Sequence, residues 1–150
     1  MKKFFFSLNT VLSYKEQVLE SLRQEHVQSL LKVRACEDEI EKLEQQHRAC
    51  VEEFEAKKRA GIPIVKMKVY ENHLEGLGVR ILEKQMQLEK LKEEELRKRN
   101  KMIEAKKEST TIQKLKEKKQ QEYQKQEQKA QEILVEEFVS AKNAMTKLNG

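Results

Sequence analysis

Only one place in this chain reads as a stop for a helix. Residues 60–64 are Ala-Gly-Ile-Pro-Ile, with Gly61 suited to a left-handed helix end and Pro63 to the first turn of the next helix. Pro63 is the single proline. The pattern predicts helix 1 over about 7–59, a turn at 60–63 and helix 2 over about 64–147, as a single hairpin spanning residues 1–150. Gly76 and Gly78 fall inside helix 2, where each costs up to ~1 kcal/mol against Ala. Two readings of them stay open: they let the helices approach closely, or they loosen helix 2.

Both helices carry an apolar seam at heptad spacing. In helix 1, one position holds Leu12, Leu19, His26, Val33, Ile40, His47 and Phe54, and the other Leu8, Lys15, Leu22, Ser29, Cys36, Leu43 and Cys50. Ten of these fourteen side chains are apolar, and the alternating 3–4 spacing lasts almost seven heptads, as a coiled coil requires. In helix 2 the series runs through Tyr70, Leu74, Leu77, Ile81, Lys84, Leu88 and Leu91. It is expected to weaken at Glu95 and Lys98 before Met102, Ala105 and Ile112. Fold class is therefore all-α, with two long helices in an antiparallel coiled-coil hairpin.

Composition agrees. Charged residues make up 38% of the 150 and hydrophobic residues 37%, against about 25% and 45–50% in a compact globular domain. Aromatic residues total 5% and no alternating run suggests strands. A two-helix seam encloses no concave interior, which argues against a catalytic pocket. Cys36 and Cys50, fourteen residues apart, lie about 21 Å apart on one helix and cannot bridge each other. A reducing compartment is the economical reading. The opening Lys2-Lys3 and Phe4-Phe5-Phe6 imitates a signal peptide, but the apolar run stops at Ser7 and Asn9. No stretch reaches the ~20 apolar residues of a membrane span, so a soluble, intracellular protein is expected.

A fold about residue 62 places residue i opposite roughly 124 minus i. Phe54 then meets Tyr70, Leu43 meets Ile81, and Leu8 reaches Lys116. Helix 2 is the longer and should overhang helix 1 by about 30 residues, or about 45 Å. Leu134, Phe138, Ala141, Met145 and Leu148 recur there at spacings of 4, 3, 4 and 3. That stripe has no helix of this chain left to cover it, and it awaits an external partner, a second copy or a fold-back.

Charge is unevenly spread. Residues 1–60 hold 11 basic and 11 acidic side chains, so the net +5 lies beyond them. Within 96–130 there are 12 basic and 5 acidic. Such a run can be a solvated face, a surface for an acidic protein or a phosphate track; it lacks the interleaved aromatics and zinc or recognition-helix motifs of nucleic-acid binders. His47, Cys50 and His73 fall in one layer and could in principle hold zinc, yet no fourth ligand is evident. His26 and His47 at seam positions are expected to lower stability slightly while fixing register. No catalytic triad, phosphate loop or paired-carboxylate site is present, and neither catalysis nor a cofactor is expected.

Three stretches in order resemble one family. KKFFFSLNTVLSYK (2–15) is similar to the aromatic-rich opening of the flagellar type III export family FliJ. GIPIV with YENHLEGL (61–65, 70–77) resembles its turn and Tyr-x-x-x-Leu-x-x-Leu. IQKLKEKKQQEYQKQEQK (112–129) and LVEEFVSAK (134–142) resemble its basic C-terminal stretch and acidic-pair ending. Pro63 stands where the family often has a capping Ser or Thr, and Cys50 and His73 where it often has aromatics. The resemblance implies a non-enzymatic stalk, similar to the central stalk of rotary ATPases, seated in the hexameric flagellar export ATPase and promoting its assembly. It implies contacts with the membrane export gate and with substrate chaperones, at the cytoplasmic face of the flagellar basal body. Membrane association would run through protein contacts only, with no nucleic acid, and the chain would be a monomer. Ring-binding residues by this resemblance are Phe4, Phe6, Leu134, Phe138, Ala141, Met145 and Leu148, with Lys116, Lys118 and Lys119; gate-binding residues are Leu43, Cys50, His73, Leu77 and Lys84. A general coiled-coil adaptor or homodimer unrelated to export is the alternative.

Overall fold

The computed structural model describes residues 2–149, and residues 1 and 150 of the expected hairpin lie outside that range. Two helices make the fold, α1 (Asn9–Ala60, 52 residues) and α2 (Ile64–Asn149, 86 residues), with no strand among the described residues. They pair as an antiparallel hairpin whose second helix is the longer. α1 begins at Asn9 rather than Ser7, because residues 7 and 8 are spent in a turn closed by the Asn9 N–H donating to the Phe6 carbonyl at 3.1 Å.

The stop between the helices follows the local chemistry. Gly61 adopts φ +87°, the left-handed region that costs a glycine least, and its N–H donates to the Lys58 carbonyl at 3.2 Å. Lys57, Lys58 and Arg59 occupy the last turn of α1, where cations meet the negative end of the helix dipole. Pro63 sits one residue ahead of α2, and its carbonyl accepts from the N–H groups of Lys66 (3.0 Å) and Met67 (3.2 Å).

By packing, the chain falls into two compact units, one of residues up to Leu19 with the chain from Ala105 onward, the other Glu20–Glu104. In the second, Leu43, Ile40, Cys36, Val33, Cys50, Phe54 and Leu77 are buried in the seam. Phe54 and Tyr70 stack at 5.0 Å between ring centroids, and Lys84 Nζ reaches Glu39 Oε2 at 2.6 Å. The numbers of these pairs, and of His26 with Glu95, add to between 121 and 124, against the expected 124. In the first unit, Phe6, Leu12, Leu19, Ala105 and Ser109 are buried, and Lys15 Nζ meets Glu108 Oε2 at 2.8 Å.

One expectation needs correction and one open question is answered. The seam of α2 does not weaken at Glu95: that residue is buried and Lys98 half-buried. The reason is a matched polar layer. His26 Nε2 donates to Glu95 Oε1 at 2.8 Å, and Arg99 closes a fork with Nη2 2.6 Å from Oε2 and Nε 3.0 Å from Oε1. Nor do Gly76 and Gly78 mark a close approach, since a methyl group on either would meet no atom within 4 Å.

Candidate functional site

The first unit gathers every residue expected to bind the ring. Ahead of α1, residues 2–8 are not helical and lie against α2. The Phe4 ring packs on Tyr123 with centroids 5.7 Å apart, and the Tyr123 hydroxyl donates to the Lys2 carbonyl. Lys116 Nζ donates to Asn9 Oδ1 at 3.1 Å. Phe6 is buried and Phe4 half-buried, whereas Phe5 between them is 84% exposed. Phe5 is thus the outward aromatic that the sequence reading passed over. No sequence signal marked it, because three consecutive phenylalanines are told apart only by the backbone that carries them. Around it lies an open hollow of about 810 Å³ lined by Lys3, Phe5, Leu8, Leu115, Lys119 and Gln126.

Farther along α2, half-burial ends at Ala130, and every described residue beyond it is exposed. Leu134, Phe138 (70% exposed), Ala141, Met145 and Leu148 (86%) form the stripe at seam spacing. At about 100° per residue it continues the face that carries Tyr123, Glu127 and Ala130, all half-buried. The edge used to pack the hairpin therefore runs on without a cover. Ile133, Val135 and Val139 flank the stripe and are also exposed. Of the lysines, Lys116 is half-buried, and Lys118 and Lys119 are exposed.

The second unit holds the five residues expected at the gate, and they divide sharply. Leu43, Cys50 and Leu77 (2% exposed) are seam residues that a partner could reach only if the helices part. His73 is exposed and Lys84 half-buried. Lys84 is tied to Glu39: their hydrogen bond holds the Glu39 carboxyl below its ordinary value and the Lys84 ammonium above its own. Burial, helped by the charge of Glu53, pushes the Cys50 thiol up and favours its protonated form. Tyr70 donates to Glu53 Oε1 at 3.0 Å, which raises its phenol. On the outer face, Val79, Leu82 and Met86 are exposed at spacings of 3 and 4, a short apolar row that the seam count overlooked. No three His, Cys, Asp or Glu side chains among the described residues are grouped to hold a metal ion.

The sequence profile described as flagellar FliJ protein matches residues 4–144. The chain belongs to the FliJ family. No curated protein and no solved structure matches it. The FliJ match runs from Phe4 through the turn to Ala144, so it includes all of α1, α2 up to that residue and most of the bare stripe. Family membership carries a role in flagellar protein export. Among the described residues of this FliJ-family chain, no helix is long and apolar enough to cross a membrane.

Proposed function

We propose that this chain is a non-enzymatic stalk of the flagellar export apparatus, promoting assembly and turnover of the hexameric export ATPase. The observation that carries this reading is the uncovered stripe from Leu134 to Leu148, an extension of a packed seam in a chain that belongs to the FliJ family. Phe5, Lys118 and Lys119 add aromatic and cationic surface in the same unit. A ring of like subunits around one asymmetric helix pair favours shallow contacts from long side chains over deep pockets. His73, Lys84 and the row Val79, Leu82 and Met86 supply a second surface, suited to the membrane export gate or to substrate chaperones. The site of action is the cytoplasmic face of the flagellar basal body.

The test is ATP hydrolysis and particle mass of the same organism's flagellar export ATPase, with and without this protein. More hexamer and faster turnover are expected, and Phe138→Asp should abolish both effects. If an assembly-competent ATPase shows no response, the stalk reading fails. The same stripe would then be matched to a second copy, which light scattering would report as twice the chain mass.

A further inference from the structure

The turn between the helices has a composition that neither the seam nor the stripe uses. From Ala56 to Tyr70 the chain holds five basic side chains, Lys57, Lys58, Arg59, Lys66 and Lys68, and no acidic one. In the same span Ile64 is 81% exposed, Val65 77% and Val69 63%, with Pro63 exposed beside them. The positive φ of Gly61 reverses the chain, and α2 starts only three residues later. Pro63, Ile64 and Val65 thus form the apex of the turn. The cations flank it on both sides, along the last turn of α1 and the opening turns of α2. Ile62, Met67 and Tyr70, not Ile64 or Val65, are the half-buried residues here, so packing gives no reason for the aliphatic apex at Ile64 and Val65.

We propose that this apex docks on an anionic lipid bilayer surface, independently of any contact with ring or gate. Aliphatic side chains at a convex tip enter the boundary between headgroups and acyl chains, while flanking cations meet anionic headgroups. The chemistry favours lipid over an acidic protein. Protein contacts are anchored by aromatic side chains or Arg in well-packed pockets, yet the nearest rings, Phe54 and Tyr70, are spent on each other. Arg59 reaches back to Glu55 at 3.9 Å, and Lys58 lies over the Phe54 ring at 3.9 Å. Lys57, Lys66 and Lys68 remain for headgroups. A few cations and two or three aliphatic side chains make a weak, reversible attachment that depends on the fraction of anionic lipid.

The experiment is co-sedimentation of the full chain with protein-free vesicles, either phosphatidylcholine alone or phosphatidylcholine mixed with phosphatidylglycerol. Binding is expected only to the mixed vesicles. Both I64D/V65D and K66E/K68E should lower the partition coefficient by about tenfold or more, with thermal melting followed to show that each variant folds. K114E/K118E, in the basic stretch of α2, should change it by less than about threefold. Three results overturn the proposal. I64D/V65D could bind the mixed vesicles as the parent does, which would make the attraction charge alone. K114E/K118E could abolish binding, which would move the surface to the basic stretch. Polyglutamate could be bound as tightly as the vesicles and lost in I64D/V65D, which would make the partner an acidic protein. Because the vesicles carry no protein, failure here leaves the stalk reading intact, and failure of the stalk reading leaves this one intact.

Discussion

At the scale of single residues, the His26–Glu95–Arg99 layer is what lets charge occupy a seam. A carboxylate buried without partners would drive the helices apart or stay protonated. Here the Arg99 fork, and then His26, hold the Glu95 carboxyl below its ordinary value. The sign follows from the direction: a depressed carboxyl stabilises the fold above its unfolded value, and that contribution is lost as pH falls through the lower folded one. Glu95→Gln should therefore melt below the parent at neutral pH, with the two midpoints converging in strong acid. Equal differences at both pH values, in thermal melts followed by circular dichroism, would mean that the ionised carboxylate is not what stabilises the layer. Sequence reasoning saw His26 and Glu95 as separate interruptions. Their pairing was out of reach because His26 reaches diagonally to Glu95, three residues short of Lys98, which the simple fold-over count sets opposite it. Phe4, Phe5 and Phe6 read as one aromatic run for a similar reason, since only a non-helical backbone sorts them into inward and outward.

At the scale of elements, both helices and their stop were legible, because Gly61 stands two residues before the single proline, Pro63, and the heptad count is long. All fourteen assigned seam positions of α1 except Leu8 are buried or half-buried. What stayed open was the role of Gly76 and Gly78. The answer lay in Leu77: once it occupies the seam, its neighbours stand about 100° to either side and face away. With no close approach to protect, each glycine only weakens α2. Gly76→Ala and Gly78→Ala should each raise stability by about 0.5–1 kcal/mol in urea unfolding. A loss of stability in either would reveal a contact that the hairpin does not display. The gate-side residues illustrate the opposite limit. Leu43, Cys50 and Leu77 are placed by their seam spacing, so a periodic pattern could not separate a contact role from a packing one.

At the scale of the whole molecule, stability and partner binding should be separable. Phe138 is exposed and touches no core, so Phe138→Asp should leave unfolding within about 0.5 kcal/mol of the parent while removing stimulation of the export ATPase. A large drop in stability would instead mean that the stripe is covered in the free protein. The antiparallel register also sets a timetable. Contacts beside the turn join residues 17 apart, the His26–Glu95 layer joins residues 69 apart, and Lys116 meets Asn9 across 107. Closing the shortest loop costs least entropy, so pulse-labelled hydrogen exchange during refolding should protect the amides near Phe54 and Tyr70 before those near Asn9 and Lys116. On the ribosome the order of manufacture runs the other way. Asn9 is made before Lys116 and must wait for it, about 5–20 s at ordinary rates of synthesis. The farther a residue of α1 lies from the turn, the longer it thus waits for its partner.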